Sequence, residues 1–333
     1  MTPPRTCPAC GAGHCVIYGS YRDEEYFCCG EERFDYWQCR DCGTLQLHPL
    51  PLTRLAEIYP TNYYSFQPPA GFSATQAIKN WLDARTFRRV LRGLQGAGLA
   101  ALDVGGGEGW LLDRLRHLDA RIAFTQIVDL DARAGMLATA RGHAYACERI
   151  ETFRSERRFD LVLLLNLIEH VEAPARVLDG IARLLTPQGV VLVKTPNLAA
   201  WDARLFRHSY WAGLHVPRHW TVFTAASFRR LLQRSPLREI DFCYTQGAPF
   251  WAASTLAALR RRGWVRVDRQ RPAVYHPLFA PLAALYAALD FARAPFAPGS
   301  QMLFTLRRAP GNALASSLAA DDAVLRPERQ PPQ

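Results

Sequence analysis

The sequence predicts an α/β protein: a doubly wound, mostly parallel seven-stranded sheet, preceded by a small cysteine-rich module and interrupted by a helical insertion before the last strand. Three observations carry this. The run LDVGGGEG at 102–109 ends an apolar strand in an acid and then places glycine at alternate positions. The run RIAFTQIVDLDA that follows ends a second strand in Asp129. The run FDLVLLLNLIEHV at 159–171 is apolar without alternation, as a strand covered on both faces must be. Apolar strands alternating with helical segments require parallel pairing through crossovers.

The elements follow in order. A helix is expected over about 76–93, leading into a strand near 99–104 and a helix over 108–118. Next come a strand at 122–129, a helix at 131–141 and a weak third strand near 143–147. Strands near 159–165, 189–195 and 238–245 follow, and SQMLFTLRR at 300–308 makes the last. At the first turn, Gly105, Gly107 and Gly109 allow positive φ and let the backbone approach a nucleotide-type cofactor with no Cβ in the way. Asp129, at a strand's carboxyl end, suits two adjacent ribose hydroxyls, because vicinal donors match one carboxylate. Ligands in such sheets lie beyond the strand carboxyl ends, where Asp103, Asp129, Asn166 and His170 all fall.

Seven of the nine cysteines lie in the first 42 residues. CPACG and CRDCG are paired Cys-x-x-Cys-Gly knuckles, and Cys7, Cys10, Cys39 and Cys42 supply four thiolates for a closed, tetrahedral, structural zinc site. The long span between the pairs suits a hairpin built from YGSYRDEEYF and ERFDYWQ. His14, Cys15, Cys28 and Cys29 compete as ligands, whereas Cys147 and Cys243 read as small core residues. A zinc ribbon is therefore expected over 1–48, a connector over 49–75, the main domain over 76–308 and a disordered tail over 309–333.

The glycine loop is D-x-G-x-G-x-G rather than the G-x-G-x-x-G of NAD sites, and it resembles the first motif of class I S-adenosylmethionine-dependent methyltransferases. The knuckles, HPLP and the Ile-Tyr-Pro…Tyr-Tyr stretch between Thr44 and Phe66 resemble the start of zinc-ribbon methyltransferases of bacterial glycan and secondary-metabolite type. That resemblance implies a Rossmann-like fold whose last strand is antiparallel and inserted between its two predecessors. It implies that Gly105 and Gly107 line the cofactor's amino-acid end, that Asp103 receives its ammonium and that Asp129 takes the ribose, with Gly109 and Asn166 completing the cofactor set. Glu148 is either an adenine contact or a surface carboxylate beside Arg149. His170 is either the base or a hydrogen-bonding group of the loop. In the Pro-Arg-His segment, Arg218 is expected to bind a phosphate or carboxylate, and His219 is either a base or is satisfied by backbone. Tyr59, Tyr63, Tyr64 and Phe66 either cap the pocket or pack between domains.

The formal charge of +10 invites nucleic-acid or anionic-membrane readings, but only Lys79 and Lys194 are lysines, so the arginine bias reads equally as composition. No charged-then-apolar leader opens the sequence, and a cytoplasmic enzyme is expected. Residues 249–299 join two apolar stretches through the arginine-rich RRRGWVRVDRQR, which suits either a lid that rests on an anionic lipid surface at the inner face of the membrane or grips a lipid tail, or a helical pair packed on the domain with a solvated basic loop. Oxygen methylation of a glycan, glycolipid or related small metabolite is the expected activity. An RNA methyltransferase is disfavoured because aromatic and basic residues are not interleaved, and a non-catalytic binding module because the glycine motif and Asp129 are intact. Sugar carbon-methyltransferases share a similar ribbon but carry a sizeable further domain.

Overall fold

In the computed structural model, residues 4–60, 74–294 and 296–310 are described. The cysteine-rich segment forms antiparallel strands β1 (Cys15–Tyr21), β2 (Phe34–Cys39) and β3 (Leu45–Leu47). The expected hairpin is present: Cys15 faces Cys39 and Tyr21 faces Phe34 across the β1–β2 register. A short helix α1 (Leu55–Ile58) and the long α2 (Ala74–Arg92) lead to the main sheet. Tyr63, Tyr64, Phe66 and the tail beyond 310 lie outside the described residues.

The main domain runs β4 (Leu99–Val104), α3 (Trp110–Leu118), β5 (Ile122–Asp129), α4 (Ala132–Ala140), β6 (Ala144–Cys147), β7 (Phe159–Leu165), α5 (Pro174–Leu184) and β8 (Leu185–Pro196). It continues through α6 (Trp201–Leu205), β9 (Thr221–Val222), α7 (Ala225–Leu232), β10 (Leu237–Thr245), α8 (Ala248–Arg261), α9 (Phe279–Arg293) and β11 (Gln301–Arg308). The seven-stranded sheet is ordered β10-β11-β8-β7-β4-β5-β6. Strands β4 to β8 pair in parallel, and β11 runs antiparallel to both β8 and β10, as expected. Every residue of β4 is buried, consistent with its central place.

Helices cover both faces because their apolar residues recur at helical spacing. In α5, Pro174 starts the helix, and Val177, Leu178 and Ile181 turn inward, each contributing about 1.5–3 kcal/mol on burial. At α7, Thr224 and Ser227 close a reciprocal capping box, fixing where the chain leaves the preceding loop. Cys147 departs from expectation: β6 is the sheet's edge, and its last residue is exposed rather than in the core.

The cysteine-rich module is not free-standing. Strand β9 comes from the chain after β8, yet it completes the small sheet, pairing Leu45 with Val222 and Gln46 with Thr221. The next residue, Phe223, bridges Asn197 at the end of β8. One extended segment therefore binds the module to the sheet's carboxyl edge, and the loop before it carries His215, Arg218 and His219.

Candidate active site

The site begins at the turn after β4. Gly105, Gly107 and Gly109 have φ of 76°, 53° and 81°, so alternate glycines are a backbone requirement. Their surroundings differ. A Cβ on Gly107 would meet nothing within 4 Å, leaving its outer side open, whereas one on Gly105 would stand 3.1 Å from Leu167. A Cβ on Gly109 would reach 2.4 Å from His143 and 2.8 Å from Ile127, so its smallness serves the packing of α3.

Asp129 holds this loop in place. Its Oδ2 accepts the Gly107 N–H at 2.9 Å, and its Oδ1 accepts Leu130 N–H at 2.6 Å and Asp131 N–H at 3.1 Å. Asp103 is buried under Gly106, and burial, reinforced by the charge of Asp129, raises its carboxyl to about 8. Asn166 sits at φ 54° just past β7, its Oδ1 accepting from Gln301 of β11 at 3.1 Å. Glu148 lies past β6, and its carboxylate accepts the Thr152 hydroxyl at 2.8 Å.

Beyond Asn166, a tight turn carries Glu169 and His170. Three imidazoles gather here: ring centroids of His170 and His219 are 4.6 Å apart, and those of His215 and His219 5.1 Å. His170 Nδ1 lies 3.0 Å from the Arg218 carbonyl and 3.0 Å from the Tyr59 hydroxyl. His219 Nδ1 lies 2.8 Å from the Gly213 carbonyl. A carbonyl only accepts, so Nδ1 of each ring carries the proton and Nε2 keeps its lone pair. Burial, with His215 adding to it, lowers His170 to about 3, and burial with both neighbouring imidazoles holds His219 well below its usual range. Both rings are neutral at physiological pH.

Glu169 is fully buried, and both carboxyl oxygens lack a hydrogen bond; Oε1 lies 3.9 Å from His219 Nε2. Burial raises it to about 8, so it too is mainly neutral at pH 7. Backbone ties this turn to β9 through Trp220 N–H and the Glu169 carbonyl at 2.7 Å. Leu167 presses the same turn against Gly105. The glycine cradle and the imidazoles thus share one edge of the sheet.

The four knuckle cysteines also converge. One sulfur from each of Cys7, Cys10, Cys39 and Cys42 lies within 4.8 Å of the others, with Cys7–Cys42 and Cys10–Cys39 both at 3.6 Å. A tetrahedron of thiolates about 2.3 Å from zinc has edges of about 3.8 Å, far longer than a disulfide. The donor set fits the ion. The knuckles match each other: Gly11 N–H donates to the Cys7 carbonyl and Gly43 N–H to the Cys39 carbonyl, each at 2.9 Å and each glycine at positive φ. Cys28 and Cys29 stand apart, grouped around Asp23.

Arg218 is not an anion receptor. It is wholly buried, its Nη2 donating to Asp23 at 3.1 Å and its Nε to the Ile58 carbonyl at 2.6 Å, with its guanidinium 4.7 Å from the Tyr26 ring centroid. The sequence reading missed the acids responsible. Of three consecutive residues, Asp23 takes Arg218, Glu24 takes Arg260 and Arg261 at 3.0 and 2.9 Å, and Glu25 takes His215 at 3.0 Å and the Tyr210 hydroxyl at 2.8 Å. RDEEY resembles an ordinary solvated turn, and only burial of such a run sets it apart.

The fold and this edge define a doubly wound α/β domain with a glycine-rich turn at the carboxyl ends of its strands. Residues 77–238 match the family model of a methyltransferase domain. A ubiquinone biosynthesis O-methyltransferase of Rhodopseudomonas palustris is 34% identical over 122 residues, covering 34% of this chain and 46% of that protein. One from Bradyrhizobium diazoefficiens gives the same figures. The chain thus spans a little under half the length of the curated relatives it matches. Among solved structures, the N-methyltransferase NodS from Bradyrhizobium japonicum in complex with S-adenosylhomocysteine aligns with 73% of this chain and 94% of its own, at 16% identity and a TM-score of 0.41. The plantazolicin methyltransferase BpumL aligns with 69% and 84%, at 15% identity and a TM-score of 0.45.

Proposed function

We propose that this chain is an S-adenosylmethionine-dependent methyltransferase that methylates oxygen on a small-molecule, glycan or lipid-linked acceptor, and that Cys7, Cys10, Cys39 and Cys42 hold a structural zinc ion. The observation that carries the reading is the shared edge: the His170 turn backs onto the glycine cradle through Leu167 and Gly105. The names of the matched relatives support oxygen as the atom methylated.

In this reading Gly105 and Gly107 leave room for the cofactor's amino-acid end, Asp103 faces its ammonium, and Asp129 adds the ribose hydroxyls to the amides it already binds. Gly109 and Asn166 shape the loop and the end of β7, and Glu148 would be the adenine contact. The bound cofactor supplies a methyl group already activated by a sulfonium, so the chain's work is positioning and proton removal. As the new bond to the acceptor oxygen forms, the hydroxyl proton becomes acidic. In this reading a weakly basic but neutral imidazole suffices, and His170, the less buried of the pair, takes the proton. His219 and Glu169 stand behind it, both neutral, with Oε1 3.9 Å from Nε2.

Three expectations test this reading. Asp129→Ala should weaken cofactor binding by about 1–3 kcal/mol, the cost of stranding its hydrogen-bonded partners; an unchanged Kd by calorimetry would reject the ribose role. Asp103, raised to about 8, is mostly protonated at pH 7 and must ionise to pair with an ammonium. Binding at pH 7 should therefore release about one proton, and progressively less as the pH rises through 8. Calorimetry in buffers of different ionisation enthalpy reads this directly, and a buffer-independent heat at pH 7 argues against the contact. Cys39→Ser should lose the metal and loosen the module, checked by zinc content per chain; full zinc content would mean a different ligand set.

A further inference from the structure

The hairpin of α8 and α9 carries a surface that methyl transfer does not explain. α8 is committed inward: Ala253, Leu256 and Ala257 pack in the core shared with the module, and Arg260 and Arg261 end on Glu24. This narrows the sequence expectation for 249–299, because neither α8 nor those two arginines is available to a lipid.

α9 is different. Its orientation is pinned on one side, where Asp290 accepts the Gly247 N–H and Arg293 Nε, both at 2.8 Å, and Tyr286 stacks on Trp251 with centroids 5.1 Å apart. The opposite side faces outward. Leu285 and Leu289 are 54% and 51% exposed, Phe291 74% and, just past the helix, Phe296 87%. Leu278, Leu285 and Leu289 recur at seven- and four-residue intervals, so they form one stripe along the helix. No Asp, Glu, Lys or Arg occurs from Pro272 to Leu289. The loop entering this helix presents Arg262, Arg266, Arg269 and Arg271 with Trp264, itself 71% exposed, against Asp268 as its one acid.

Contiguous exposed apolar surface bordered by charge marks an interaction site rather than ordinary surface. We propose that this face of α9, with the Trp264 loop, docks on an anionic lipid bilayer. The leucine stripe would enter the boundary between headgroups and acyl chains, and the arginines would meet headgroup phosphates. Among the described residues no helix is long and apolar enough to cross a membrane, so the element lies on the surface. A second copy of this face would bring the same arginines with Asp268 as their one counter-charge, which favours the lipid.

The test is cosedimentation of the full chain with vesicles of phosphatidylcholine alone or mixed with phosphatidylglycerol, without cofactor or acceptor, so its failure is separate from that of the methyl-transfer reading. The wild type should pellet with the anionic vesicles and not the neutral ones, and raised salt should weaken the binding. Leu285→Asp/Leu289→Asp should reduce binding at least tenfold while the far-ultraviolet circular dichroism is unchanged, and Arg266→Glu/Arg271→Glu should also reduce it. Wild type that stays in the supernatant, pellets equally with neutral vesicles, or binds undiminished in the leucine variant would overturn the proposal. So would a wild-type dimer in sedimentation velocity that the leucine variant dissociates, since a second copy would then cover the stripe.

Discussion

His170→Ala is expected to lower kcat by about 10²–10⁴-fold, the usual contribution of a positioned general base, with cofactor affinity little changed. The reason is spatial. In the proposed function the ring would meet the acceptor, whereas the cofactor contacts belong to Asp103, Asp129 and the glycine loop. His219→Ala should also lose most activity, because removing it leaves Glu169 buried beside a void and unpins the loop held at Gly213. The measurements are single-turnover methyl transfer and cofactor titration on the same preparations. A His170→Ala enzyme with wild-type kcat would end the base assignment.

The second large effect is on stability. Arg218→Ala should cost about 3–5 kcal/mol, the range for breaking a buried ion pair by removing one partner. It leaves Asp23 ionised in the interior and strips a donor from the Ile58 carbonyl. Asp23→Ala should be similarly costly, and the double variant should cost clearly less than the sum, because neither charge is then stranded. Urea unfolding reads all three, and a loss below about 1 kcal/mol in Arg218→Ala would refute the account. Burial would raise the Asp23 carboxyl, but the Arg218 charge and hydrogen bonds outweigh it and lower it to about 2. A carboxylate lowered on folding contributes stability above its unfolded value near 4 and loses it as pH falls toward 2. Acid unfolding should therefore loosen the module from the main domain along this contact.

Much of this was legible because it is local. The buried run of β7, the acid ending β5 and the alternate glycines each state their own environment within a few residues. The Cys-x-x-Cys-Gly pairs likewise carry their geometry in their spacing, and their four sulfurs converge. Other features had no local signature. Gly109 reads like its neighbours, but its constraint is His143, which approaches from another element. Arg218 reads as a ligand-binding arginine until Asp23, nearly two hundred positions away, is seen to neutralise it.

The sequence by itself determined the doubly wound sheet, the glycine turn and the tetrathiolate cluster, since hydrophobic period, glycine placement and thiol spacing act over short stretches of chain. Only the tertiary structure decided that β9 completes the module's sheet, that three successive acids meet the loop before β9 and the end of α8, and that α9 keeps an apolar face outward. Those outcomes depend on which distant groups meet once solvent is excluded, and a buried charge must find its partner wherever in the chain that partner lies.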